Sequence, residues 1–389
     1  MFLSHHRLLC LAALVSAAAS TSMSAAFTTS SRTDSHPEST RSDLFLERRQ
    51  ALIKSSGAIA TVTGISLLPP FASPVSAATS NKIPEWTLEG GVKFPQLALN
   101  TVGLSAEDTT RALTYAVAAG VTHVDFHPGQ ERDGVAQYLK EQPGARKKLF
   151  LNTKIRKAPP GTTPIEAAER TRAQIEEDFA ALGVESVDML MLRDSPDCAV
   201  IQAQWAVLEE ALAQKKCRSL GVINFCANAL DCVLATAKVK PALNYYMLHV
   251  GMGLDPRGLR SFGESRGIRT FAYGAAGEPG PNDELLSSPI LERIGEAHGR
   301  SPEAVALRWV TQNECAVSVR PTLDFGLGTG LCTEDNKCKE GMAARASSFG
   351  WSLTKNEMEE LNALTSPTLQ DNPTLFSSTG CPDSFVMKK

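Results

Sequence analysis

Between residues 95 and 320 the chain repeats one pattern eight times: a short apolar run, then a stretch of helical periodicity. The runs are FPQLALNT, VTHVDF, KLFLNTK, VDMLMLR, SLGVIN, ALNYYML, IRTFAY and CAVSV. Each is nearly continuously apolar, as strands buried on both faces are. Several of the intervening stretches open on Ser, Thr or Asp and close on Gly, the marks of helix caps. In TPIEAAERT, Thr163 stands as a cap, Pro164 falls in the first turn and Glu166 follows three residues on, which is a capping box. Strand and helix in strict alternation require a parallel sheet. Eight such units favour a closed α/β fold, the (β/α)8 TIM barrel, over an open doubly wound sheet. The absence of G-x-G-x-x-G after the first strand points the same way.

The barrel domain is expected over 78–365, followed by an irregular C-terminal tail over 366–389. What precedes it differs in kind. RLLCLAALVSAAASTSMSAAF has a basic start, an apolar run and a small-residue end, the pattern of a secretory signal peptide over 1–26. Residues 27–77 resemble a plastid transit segment joined to a second signal. Phe27 follows the small residues as in the bipartite leaders of algae with secondary plastids. Arg48 and Arg49 form a twin-arginine pair before a mildly apolar stretch and a Val75-Ser76-Ala77 cleavage pattern. The expected address is the plastid of a secondary-plastid alga, in the thylakoid lumen, reached through the secretory pathway.

A hydrophobic fraction of 43% with 21% charged residues describes a soluble globular chain. The net charge of −3, with no basic patch interleaved with aromatics, gives no sign of a nucleic-acid partner. No membrane span is expected in the mature chain, and a monomer is expected. No C-x-x-C pair occurs among the nine cysteines, so no metal site is assigned. Cys332 and Cys338, in a Gly-rich loop, are placed to close a small disulfide in an oxidising lumen. Strand-borne cysteines such as Cys315 read as buried thiols.

In such barrels chemistry is built where the strands end. The residues ending the runs are Asn100 and Thr101, Asp125, Lys154, Arg193, Asn224, Tyr245, Tyr273 and Arg320. One acid and three bases thus ring a single mouth, where unpaired charge is costly. Asp125 and Lys154 end neighbouring strands and can reach each other. Such a pair can serve chemistry, or architecture alone.

The order GVTHVDF, LFLNTK, VDMLMLRDSP, SLGVINF, IRTFAYGAAG, SPEAVALRWV resembles the aldo-keto reductase family over about residues 93 to 365. The resemblance implies reduction of a small carbonyl substrate with NADP(H), by an Asp–Tyr–Lys–His tetrad at the barrel mouth. Asp125 and Lys154 match the Asp and the Lys. Thr101, Asn224 and Tyr273 match positions around the nicotinamide, with Tyr273 as the stacking ring, and Arg320 stands nearest the place of the phosphate-contacting lysine. The tyrosine should follow Asp125 by about five residues, where Gly129 and Gln130 stand, and the histidine position holds Arg193. An altered proton donor is therefore expected. His127, Tyr245 and Arg193 are the candidates, the last able to polarise a carbonyl or clamp a carboxylate. Each has a simpler role open to it: His127 capping a turn, Tyr245 packing, Arg193 pairing with Asp194. The alternative is a catalytically inactive barrel that binds a nucleotide or small ligand, or serves as a partner subunit. For the leader, a fusion of residues 1–90 to a fluorescent protein should light the plastid; a cytosolic signal would refute that address.

Overall fold

A computed structural model describes residues 82–277, 282–322, 332 and 335–364. The expected leaders over 1–77 and the expected tail over 366–389 lie outside these residues. The strands β3 (Leu97–Asn100), β4 (His123–Asp125), β5 (Phe150–Ile155), β6 (Met189–Arg193), β7 (Ser219–Ile223), β8 (Leu243–Met247), β9 (Arg269–Tyr273) and β10 (Ala316–Val319) close into a parallel barrel in the order β10-β3-β4-β5-β6-β7-β8-β9. This is the (β/α)8 TIM barrel. Around it run α1 (Ala106–Ala118), α2 (Gln130–Glu141), α3 (Pro164–Leu182), α4 (Cys198–Ala213), α5 (Ala227–Leu234), α6 (Leu259–Glu264), α7 (Asn282–Leu286), α8 (Pro289–His298), α9 (Pro302–Gln312), α10 (Asp335–Ala346) and α11 (Lys355–Asn362). The expected capping box at Thr163 and Glu166 opens α3, and Thr354 with Glu357 builds a second at α11. The helices α7 and α8 carry no counterpart in the sequence reading. No described helix is long and apolar enough to cross a membrane.

The run FPQLALNT does not form one strand. Pro95 ends β2 (Lys93–Pro95), which pairs antiparallel with β1 (Glu85–Thr87), and the barrel strand starts only at Leu97. This hairpin fills the N-terminal end of the barrel. Trp86 stacks on Phe94 with ring centroids 5.5 Å apart, and Phe94 meets the edges of Phe150, His123 and Phe271. With that end packed by aromatic rings, a ligand can enter only from the C-terminal rim. Alternate strand residues such as Met189, Met191, Leu243 and Tyr245 join the interior cluster. The others, such as Leu190 and Leu192, pack outward beneath the helices.

Helix α2 is drawn tightly against α1, and Gly134 makes this possible. A Cβ there would lie 2.4 Å from the Ala106 carbonyl oxygen and 2.6 Å from the Thr109 Cβ. The close approach sets α2, separated from the end of β4 by the four residues 126–129, directly on α1. Disulfides join Cys332 to Cys338, as the sequence suggests, and Cys198 at the start of α4 to Cys232 in α5. Cys217 and Cys315 are buried free thiols.

Two histidines are fully enclosed. His123, on the barrel's inner face, donates through Nδ1 to the Pro95 carbonyl at 2.9 Å, and its Nε2 has no partner. His249 follows β8 and accepts the Gly251 N–H. Burial pushes both pKa values down from 6.5 to about 4. Each stays neutral in the fold while the unfolded chain takes up a proton below pH 6.5. Stability is therefore lost as pH falls from 6.5 to about 4, by about 3 kcal/mol for each residue. His123→Phe should be less stable than wild type at pH 7, through the lost Pro95 hydrogen bond, and the gap should narrow or reverse towards pH 4.5. Melting temperature against pH measures this directly; parallel curves would refute it.

Candidate active site

Asp125, the last residue of β4, is completely buried, and its carboxylate organises the barrel mouth. Oδ1 accepts from the Lys154 ammonium and from the Asn152 amide at 2.9 Å. Oδ2 accepts from the Tyr245 hydroxyl at 2.7 Å. Asn152 and Lys154 are two apart on β5, so one face of one strand delivers both donors. Tyr245 reaches across the barrel from β8. Its single proton goes to Asp125, so Ser318 must donate to it, and the Asn100 amide donates to it as well at 3.0 Å. The phenol ring stacks on Phe271 at 4.4 Å and lies 5.5 Å from the Lys154 ammonium. Tyr245 does not end its strand, as the sequence run implied. β8 continues to Met247, leaving Tyr245 two residues short of the end, within the barrel.

Protonation follows from this enclosure. Burial lowers the Lys154 pKa, and the attraction of Asp125 offsets this only in part. Burial and the neighbouring Asp125 charge hold the Tyr245 pKa well above its usual 10. Tyr245 therefore keeps its proton. Lys154 is the more readily deprotonated of the two donors. Its Nζ serves Asp125 and the Phe126 carbonyl, at 3.1 Å for the latter, leaving one N–H unused.

Arg193 ends β6 on the face that Met189 and Met191 turn inward. The alternative pair with Asp194 does not form; Lys157 holds that carboxylate at 2.7 Å. Tyr273, half-buried at the end of β9, meets Tyr245 edge-on at 5.1 Å and donates to the Asn224 amide oxygen at 2.8 Å. Asn224 holds φ at 60°, a left-handed conformation that Asn tolerates better than most residues. The Tyr273 ring is thus partly exposed beside an amide side chain at the barrel mouth.

A second cluster centres on Glu131, which sequence reasoning missed. Its carboxylate accepts from the Thr101 hydroxyl at 2.9 Å, the Gly103 N–H at 3.0 Å, the His127 N–H at 2.9 Å and His127 Nδ1 at 3.0 Å. His127 is thus tied to Glu131, with its proton on Nδ1, while Thr101 bonds both the Glu131 carboxylate and the Asp125 backbone carbonyl. Arg320 is buried and donates to the Val102 carbonyl on the same loop. Gln130 is exposed, as the first residue of α2. Asn152 and Ser318 also escaped the sequence reading. Their signal was period two: each lies two residues before a rim cation, Lys154 or Arg320, on the inward face.

A closed parallel barrel with a buried carboxylate–lysine–phenol cluster at its C-terminal rim has the architecture of a barrel enzyme. Residues 95–324 match the model of the aldo/keto reductase family, and the chain belongs to that family. It is 28% identical to morphine 6-dehydrogenase of Pseudomonas putida over 299 residues, covering 73% of this chain and 92% of that protein. It is 25% identical to glyoxal reductase of Bacillus subtilis over 280 residues, covering 71% and 91%. Among solved structures, an aldo/keto reductase from Brucella melitensis superimposes with a TM-score of 0.63 at 23% identity, covering 73% of this chain and 98% of that one. A mutant of Gox0644 in complex with NADPH gives 0.59 at 23%, covering 73% and 94%.

Burial pushes the Glu131 pKa up, but the hydrogen bond and charge of His127, with the Gly103 N–H, outweigh it and leave the value below normal. The carboxylate therefore stabilises the fold above its unfolded pKa, and this is lost as pH falls through the folded value. Glu131→Ala strands several donors and should cost about 3 kcal/mol at pH 7. Denaturant unfolding of variant and wild type reads the difference, and a loss under 1 kcal/mol would show the cluster to be incidental.

Proposed function

We propose that this chain is an NADP(H)-dependent oxidoreductase that reduces a small carbonyl compound, with Lys154 as the proton donor. The observation that carries this is the Lys154 ammonium, wholly buried beside Asp125, lowered in pKa by that burial and with one N–H beyond its two acceptors. Asp125 and Lys154 match the family's acid and lysine. Tyr273 and Asn224 are proposed to flank the nicotinamide, with Thr101 and Arg320 on the loop side of the cofactor. The family position for a tyrosine, five residues after Asp125, holds the exposed Gln130, so no phenol serves from there. When bound, the cofactor supplies a hydride. Lys154 would pass its proton to the developing alkoxide and become a neutral amine, and Asp125 would orient the ammonium beforehand. Tyr245, with its proton held by Asp125, fixes the carboxylate's second oxygen. Similarity to a dehydrogenase and a reductase, and to a fold solved with NADPH, supports redox chemistry on carbonyl compounds.

One feature favours a second reading, a barrel that binds a nucleotide without turning over. Lys154 and the phenol nearest it are both wholly enclosed, and that phenol already has its hydrogen bonds taken by Asp125, Ser318 and Asn100. We also infer a monomer working in an oxidising compartment such as the thylakoid lumen, for which the disulfides Cys198–Cys232 and Cys332–Cys338 speak.

Fluorescence titration with NADPH followed by an aldehyde-reduction assay separates the two readings. Binding without turnover selects the second, and no binding up to millimolar cofactor would sink both. If Lys154 is the acid, reduction should decline as pH rises through its lowered pKa. Lys154→Arg keeps the charge but cannot release a proton, so it should fall about as far as Lys154→Met, roughly 10²- to 10⁴-fold in kcat. An active arginine variant would show that charge alone suffices.

A further inference from the structure

Among the described residues at the barrel mouth, Arg193 is a charged group that neither the ion pairing of the fold nor the proposed proton transfer uses. It ends β6 on the inward face, one pleat beyond Met191, which is in register with Lys154 on β5. Its place on the inward face at the end of β6, the strand next to β5, sets it at the same mouth as Lys154. Its Nε is buried and has no hydrogen-bond partner, and among the described residues no carboxylate pairs with it. Asp125 is committed to Lys154, and Asp194 to Lys157. Lys154 thus has its carboxylate in Asp125, while Arg193 on the neighbouring strand has none among the described residues. A guanidinium held half-buried without a counter-ion is costly, and an arriving anion relieves that cost. Its planar fork matches a carboxylate, with two parallel N–H donors for two oxygens.

We propose that Arg193 is the carboxylate-binding residue of this site, and that the substrate is a short carbonyl acid, either a 2-oxo acid or an aldehyde acid. A carboxylate held on Arg193 presents the adjacent carbonyl to the strand that carries Lys154. The charge also discriminates: a neutral aldehyde leaves the guanidinium unpaired, whereas the acid neutralises it. This deepens the reductase reading and rests on it for the chemistry, but the anion site can be tested without turnover.

The test uses the full-length chain and two measurements. The first is calorimetric titration with oxamate, an unreactive 2-oxo-acid mimic, with and without NADPH. Wild type should bind it, and Arg193→Met should weaken binding about 10- to 100-fold, as loss of a charge-assisted pair does. Arg193→Lys should recover part of the loss, since a single point charge replaces the fork. The second is the KM for glyoxylate and for neutral propanal. In Arg193→Met the glyoxylate KM should rise by a similar factor relative to the propanal KM, so that the ratio of the two KM values shifts about 10- to 100-fold. Oxamate binding that depends on Arg193, in a protein that reduces no carbonyl, would defeat the reductase reading and keep the anion site. Absence of oxamate binding in wild type, equal binding by the methionine variant, or a parallel rise of both KM values would each overturn the proposal. A fall in NADPH affinity matching the oxamate loss would overturn it too, by assigning the guanidinium to a cofactor phosphate.

Discussion

The buried carboxylate of Asp125 is the interaction on which the mouth of this barrel depends. A charge removed from water is tolerated only when surrounded by donors, and Asp125 collects three side chains, from β5 and from β8 on the far wall. Because those donors come from opposite sides of the barrel, the carboxylate works as a tie across it. Losing the charge would leave Lys154 buried without its counter-ion and Tyr245 without its acceptor, a penalty larger than the net worth of the pair. The same enclosure that makes the cluster costly sets its chemistry. Desolvation drives Lys154 toward its neutral form and Tyr245 away from ionisation, so proton mobility is concentrated on the lysine.

Two supports hold this cluster in place. The β1–β2 hairpin packs the lower end with Trp86 and Phe94, so that the interior is continuous from the plug to the polar layer and a ligand has one way in. Glu131 gathers the loops after β3 and β4 by binding Thr101, Gly103 and His127 together. The approach of α2 to α1 at Gly134 lets Glu131 sit close enough to do so. The site is thus a rigid polar layer on a hydrophobic stack, with Tyr273, Asn224 and Arg193 as the groups around its rim.

Much of this was legible in the sequence, and for definite reasons. Strand–helix alternation has only one economical closed solution at eight repeats, so the fold class followed from pattern alone. Asp125 and Lys154 stood out because charged residues at the ends of apolar strands need partners, and neighbouring strands supplied them. The Cys332–Cys338 bridge followed from short spacing in a Gly-rich loop. By contrast, the shared partner of His127 and Thr101 was not legible, because Glu131 reads as an ordinary first-turn helix acid. Its inward aim depends on where α2 starts and how closely it docks. Arg193 looked adjacent to its counter-ion in Asp194, yet successive residues at a strand end turn to opposite sides, and Lys157 took that carboxylate instead.

The sequence by itself determined the parallel barrel, the rim on which chemistry must lie and the identity of most side chains there, because those depend on periodicity and on residue type. Only the tertiary structure decided the pairing. Tyr245 is 120 residues from Asp125 and meets it because closing the barrel brings β8 opposite β4. Barrel closure also left the Arg193 Nε without a partner. Which charges cancel and which remain is a property of distances across the barrel, and no local pattern encodes those.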